Sequence, residues 1–118
     1  MKKSLNILAD FYNCQGVFLT DVGFIRKTII KIVSDSGFKI INSCFYKFKG
    51  GKGISGVFIL AESHLAIHTW PEKQSLNLDI FFCNYNRENS KKARLAFKAL
   101  KQLYRPRRII KREVRRGH

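Results

Sequence analysis

At 118 residues, with 45% hydrophobic content, the chain has the length of one domain and enough apolar side chains for a core. No stretch reaches the length of a membrane-spanning helix, and the lysines at the N-terminus lack the apolar segment and small-residue cleavage site of a signal peptide. A formal net charge of +15 invites a nucleic-acid partner, but no zinc-finger spacing or aromatic RNA-binding signature accompanies it, and a basic, solvated surface is the plainer reading.

Cys14, Cys44 and Cys83 are odd in number, widely spaced and form no C-x-x-C pair. That argues against a disulfide framework or a zinc site and favours a reducing, cytoplasmic compartment.

In chain order, Leu5, Ile7, Ala9 and Phe11 alternate over residues 4–12 and predict a half-buried strand. Thr20 or Asp21 is placed to cap a helix over about residues 20–36. Val22, Ile25, Ile29, Ile32 and Val33 recur there at helical spacing, with Gly37 as the stop. Residues 38–48 read as a second strand and residues 54–60 as a third. The glycine-rich loop between them lacks the G-x-x-x-x-G-K-[ST] spacing and is followed by a strand, so a hairpin turn is expected instead of a phosphate cradle.

Residues 65–70 carry β-branched and aromatic side chains and stop at Pro71, which predicts a strand. Ala66, His68 and Trp70 then share one face, and Leu65, Ile67 and Thr69 the other. His64 and His68 would share a metal face only on a helix, so no metal site is expected. Residues 76–83 give another strand. Asn86 or Asn89 caps a second helix striped with Ala93, Phe97, Leu100 and Tyr104, which Pro106 ends. Residues 107–114 predict a charged edge strand. The order implies an α+β fold, a two-layer α/β sandwich with an antiparallel sheet and both helices on one face. Two halves, each built around one helix, are visible in outline. Many strand positions look apolar on both faces, and a partner subunit is one way to cover the second.

Chemically capable side chains crowd residues 61–72, where Glu62, Ser63, His64, His68, Trp70 and Glu72 fall together. Ser63, His68 and Cys83 would suit a hydrolase as nucleophile and base, but no G-x-S-x-G elbow or orienting acid is evident.

Ser55-Gly56-Val57, Ala61-Glu62-Ser63-His64, Ile67-His68-Thr69-Trp70-Pro71-Glu72 and Asp79-Ile80-Phe81-Phe82-Cys83 closely resemble prokaryotic S-adenosylmethionine decarboxylase proenzymes. Ser4-Leu5, residues 9–14, Phe45 and Lys47-Phe48 extend the resemblance. It implies self-processing: the serine matching Ser63 attacks the carbonyl of Glu62, and the ester formed is eliminated. Residues 1–62 become a β chain, and 63–118 an α chain that begins with a pyruvoyl group. His68 matches the proton acceptor of that elimination and Ser55 the serine that assists the acyl shift. The pyruvoyl group forms a Schiff base with S-adenosylmethionine and takes up the electrons released with CO₂. Cys83 matches the proton donor that completes the reaction. Phe48 matches the ring that stacks on adenine, and Glu72 the acid that binds the ribose hydroxyls. The product is the aminopropyl donor for spermidine. The resemblance also implies a homodimer in which two sheets face each other over the active sites.

The chain departs from the family pattern at several positions. Asp10 stands for the usual Glu, Lys49 to Lys52 lengthen a loop, and Lys73-Gln74-Ser75 replaces a Tyr-Gly-aromatic turn. Phe82 and Asn84 replace the Thr and Gly that flank the cysteine, and bulk there is expected to shift Cys83. Relatives that decarboxylate arginine or ornithine are the alternative, but Phe48 and Glu72 suit a nucleoside. A second alternative is a basic nucleic-acid-binding domain that has lost catalysis, with the cluster from Arg105 to Arg116 as its feature.

Overall fold

The alternating stretches form strands and the period-3.6 stretches form helices in the computed structural model, which describes residues 3–15, 19–84 and 88–117. In chain order these are β1 (Ser4–Tyr12), α1 (Val22–Asp35), β2 (Ile40–Lys47), β3 (Ile54–Leu60), β4 (Ser63–Trp70), β5 (Ser75–Phe82), α2 (Ser90–Tyr104) and β6 (Arg108–Arg116). The strands pair antiparallel in one sheet of order β2-β3-β4-β5-β1-β6. The expected α+β architecture is what the chain adopts, with β1 and β3 at the predicted bounds. Asn86 lies outside the described residues.

Both helices cover the same face of the sheet, and the core lies between. Leu5, Ile7, Phe11, Phe58, Leu65, Ile67, Leu76, Ile80 and Phe82 fill it from the strands, and all are buried. Ile25, Ile29 and Val33 enter from α1, and Ala93, Ala96, Leu100 and Tyr104 from α2. Each large apolar side chain buried here contributes roughly 1.5–3 kcal/mol, so the stripe on each helix outweighs its propensity in fixing the helix to the sheet. Asp21 caps α1 by accepting from the Phe24 N–H at 2.9 Å. Gly37 ends it at φ 92°, where the Phe38 N–H donates back to the Val33 carbonyl.

The helix-free face carries Ser55, Val57, Ile59, His64, Ala66, His68, Trp70, Asn77 and Asp79 by strand alternation and register. Leu8, Tyr46, Ile59, Trp70 and Val114 are large exposed apolar residues of the strands. Polar pairs interrupt them: Trp70 Nε1 donates to Asn77, and Asn77 donates to Asp10, each at 2.7 Å. Cations of the edge strand β6 stack on rings, Arg116 over Phe81, Arg108 over Tyr12 and Lys111 over Phe97. Part of the basic charge therefore serves to hold β6 to the sheet and to α2. No helix among the described residues is long and apolar enough to cross a membrane.

Candidate active site

The β3–β4 hairpin sets the Glu62–Ser63 peptide. Leu60 pairs with Ser63, leaving Ala61 and Glu62 as the turn. Two-residue hairpin turns prefer positive φ at their central residues. Here the positive φ falls instead on Ser63, at 130°. A side chain held in that region costs about 1–3 kcal/mol and persists only where the surroundings impose it. They do so here: the Ala61 N–H donates to the Lys39 carbonyl at 3.0 Å, and Ser63 pairs with Phe82 on β5.

That pairing brings Cys83 beside the turn, and the Cys83 backbone N–H donates to the Glu62 carbonyl oxygen at 2.9 Å. A donor already seated on a carbonyl is placed to stabilise the oxyanion that attack on that carbonyl creates. The Cys83 thiol is half-buried, with the Ser4 hydroxyl 3.6 Å from its sulfur. The two flanking departures do not crowd it. Phe82 points to the helix side, fully buried, with its ring centroid 4.0 Å from that of Phe38. Asn84 is buried in hydrogen bonds: its N–H donates to Ser4 Oγ, its Nδ2 to the Lys3 carbonyl, and its Oδ1 accepts from the Asn89 N–H. Alternation sends Phe82 to the face opposite the Cys83 thiol, so its bulk packs against Phe38 and not against the sulfur.

A second cluster lies further along the sheet. Ser55 and His68 are register partners, with Ser55 Oγ 2.9 Å from His68 Nδ1. Phe48, Lys52, Ser55, His68, Thr69, Trp70 and Glu72 line a cavity of about 260 Å³. The stacking and ribose-binding candidates thus meet the processing candidates Ser55 and His68. Lys52, from the lengthened loop, adds a positive charge to that wall.

The expected hydrolase-like grouping of Ser63, His68 and Cys83 needs correction. His68 does not reach back to Ser63 within the chain, because β4 runs unbroken from Ser63 to Trp70. Five residues of extended strand separate them by about 16 Å. The hydrolase-like grouping of Ser63, His68 and Cys83 is therefore not one site in a single chain: Ser63 and Cys83 are together, and His68 is with Ser55. The same geometry separates His64 from His68 by about 13 Å, far beyond two ligands of one metal. His64 Nε2 instead faces Asp79 Oδ2 at 3.4 Å, and Asp79 also accepts from Asn6 at 2.7 Å. Among the described residues no group of His, Cys, Asp and Glu side chains is arranged to hold a metal ion.

A sequence profile of S-adenosylmethionine decarboxylase matches residues 5–117. The chain belongs to the S-adenosylmethionine decarboxylase family. It is 40% identical over 78 residues to an S-adenosylmethionine decarboxylase proenzyme of Moorella thermoacetica, a stretch covering 66% of this chain and 62% of that protein. It is 36% identical over 112 residues to the Thermosipho melanesiensis proenzyme, covering 95% and 82%. The stretch matched thus spans less than two thirds of the Moorella protein but most of the Thermosipho one. The crystal structure of adenosylmethionine decarboxylase from Aquifex aeolicus superposes with a TM-score of 0.88 at 32% identity, covering 99% of this chain and 92% of that one.

Within this S-adenosylmethionine decarboxylase fold, sequence reasoning missed three residues around the Glu62–Ser63 bond. Ser4, Asn84 and Asn89 converge there from β1, the end of β5 and the start of α2. Asn89 Nδ2 donates to the Cys83 carbonyl at 2.7 Å and lies 3.3 Å from Glu62 Oε2. Asn89 stands at the cap position of α2 but makes no side-chain cap bond, and Glu88 accepts from the Ser90 N–H instead. Only the long-range register reveals this use of an asparagine that reads in sequence as a helix cap.

Proposed function

We propose that the chain is a self-cleaving proenzyme that becomes a pyruvoyl-dependent S-adenosylmethionine decarboxylase. The observation that carries the reading is the Glu62–Ser63 bond itself. Its carbonyl is held by the Cys83 N–H, and its serine is held at a positive φ. Both features favour attack by Ser63 Oγ on the Glu62 carbonyl carbon. The donor stabilises the oxyanion, and the strain is relieved as the peptide bond gives way to an ester. Removal of the Ser63 α-proton then breaks the Cβ–O bond and frees Glu62 as a carboxyl terminus, leaving a dehydroalanine that water hydrolyses to the pyruvoyl group with release of ammonia. Residues 1–62 become the β chain and residues 63–118 the α chain.

The pyruvoyl group made from Ser63 supplies the electron sink for loss of CO₂. The residues around Ser63 fit its formation, since Ser63 is itself the precursor and the Cys83 N–H already sits on the carbonyl it would attack. Cys83 projects on the helix-free face one strand over, where its thiol delivers a proton to the substrate Cα. Phe48 and Glu72 favour an adenosyl substrate over arginine or ornithine, because a free amino acid offers neither a flat base nor ribose hydroxyls.

The missing proton acceptor argues for a dimer. His68 and Ser55 lie about 16 Å from Ser63 in one chain. The cavity of about 260 Å³ at Phe48 and Glu72 falls below the range of roughly 300–1,000 Å³ usual for ligand pockets. A two-fold pairing of helix-free faces brings the partner subunit's His68 to Ser63 and closes the cavity, and it covers Leu8, Ile59 and Trp70. Three free cysteines suit a reducing cytoplasm, where the product would serve spermidine synthesis.

Incubation with S-adenosylmethionine, arginine or ornithine labelled at the carboxyl carbon tests the reading. Labelled CO₂ is expected from S-adenosylmethionine, and release only from arginine or ornithine would reject the substrate assignment.

A further inference from the structure

We infer that Asn89 is a positioning residue for the self-cleavage at Glu62/Ser63, a role that rests on the reading above. Asn89 is fully buried at the start of α2, yet its side chain is not spent on capping the helix. Glu88 takes that place, and its hydrogen bonds with Ser90 hold its carboxyl below the usual range. The Asn89 amide is left free to turn back towards the reactive turn, where Nδ2 meets the Cys83 carbonyl and the Glu62 carboxylate.

Those two partners belong to the residues whose backbones make the critical contact. Cys83 gives the N–H and Glu62 the carbonyl oxygen that receives it. One amide therefore grips both sides of that hydrogen bond from outside. The grip is anchored in turn: the Asn89 N–H donates to Asn84 Oδ1 at 2.6 Å, and Asn84 is tied to β1 through Ser4 and the Lys3 carbonyl. The Ala61 N–H holds one side of the turn to the Lys39 carbonyl, and Asn89 holds the Glu62 side chain on the other. Small displacements of reacting atoms cost large factors in rate, so a side chain that fixes Glu62 against Cys83 acts on the cleavage step. Once the bond is cut, the same contact retains the new carboxyl terminus at Glu62 beside the site.

Asn89→Asp tests this with little change in shape. It removes the N–H donor and sets a carboxylate against the Cys83 carbonyl and the Glu62 carboxylate. Cleavage, followed as a time course of intact mass, is expected to slow about tenfold or more near neutral pH. The neighbouring Glu62 charge raises the pKa of the introduced carboxyl above its reference value of about 3.9. Lowering the pH to about 5 therefore protonates a growing share of it and restores a donor, so the ratio of wild-type to variant rate narrows. A merely structural role predicts a loss that tracks the folded fraction, read from the melting temperature of wild type and variant at each pH, whereas positioning lowers the rate of fully folded protein. Combining Asn89→Asp with Glu62→Gln removes the like charge and is expected to recover part of the rate, which keeps the test valid where the single variant folds poorly. Wild-type protein that never cleaves would overturn the cleavage reading and the role of Asn89 with it. Wild-type protein that cleaves, with an Asn89→Asp rate that is equal or lower by the same factor at both pH values and without rescue, would overturn the role of Asn89 alone.

Discussion

The Cys83 backbone N–H donates to the Glu62 carbonyl oxygen at 2.9 Å, across the gap between β4 and β5. Cys83 thereby has two separable parts. Its main chain holds the carbonyl of the bond proposed for cleavage, and its thiol lies beside the Ser4 hydroxyl, free for the separate role proposed for it.

The separation predicts the behaviour of Cys83→Ala. The N–H survives the substitution, so cleavage should proceed within a few-fold of the wild-type rate. Loss of the thiol removes the proton donor, and decarboxylation should fall by about 10²–10⁴-fold. Intact mass and labelled CO₂ release measured on the same sample read the two effects.

Strain at Ser63 gives a second prediction. Ser63→Ala and Ser63→Gly both lack the nucleophile and should remain single chains. Alanine keeps the cost of the positive φ, whereas glycine does not. After allowance for the greater freedom of glycine in the unfolded chain, Ser63→Gly should melt about 2–8 °C above Ser63→Ala. Equal melting temperatures would mean that the hairpin stores no strain.

The distance between Ser63 and His68 makes a prediction about assembly. Ser63→Ala and His68→Ala homodimers should both be inactive. Mixed dimers obtained by co-expression should recover cleavage at the one site that combines an intact Ser63 with an intact His68 of the partner subunit. No recovery in dimers shown by mass to be mixed would contradict the facing-sheet arrangement.

Burial predicts the alkaline limit of stability. Desolvation raises the Cys14 thiol from 9.0 to about 11 and pushes the buried Tyr104 hydroxyl up as well. Both groups stay neutral in the folded chain while they ionise first in the unfolded one, so stability is intact below pH 9 and declines as pH rises towards 11. Melting temperatures across that window should fall for the wild type and fall less steeply for Cys14→Ala.

Much of this fold is legible in local pattern. Alternation at Leu5, Ile7, Ala9 and Phe11 gives β1, and Leu65, Ile67 and Thr69 face the core opposite Ala66, His68 and Trp70 as their spacing requires. Asp21 and Gly37 bound α1 by the chemistry expected of them. The stretch from Glu62 to Glu72 stands out because its side chains are rare in an apolar setting. What local pattern does not carry is register. The Cys83 contact with Glu62 depends on how β4 pairs with β5, and the place of Asn89 depends on where α2 begins relative to both. The separation of His68 from Ser63 follows from strand rise once β4 is seen to begin at Ser63 itself. The positive φ there is invisible in sequence, since a serine gives no sign of it.

The most direct measurement is the intact mass of freshly made protein, followed over time under native conditions. The account predicts two chains that part between Glu62 and Ser63, the N-terminal one ending in Glu62 and the other carrying a pyruvoyl group in place of its serine. A single chain of constant mass, with Ser63 intact, would contradict it.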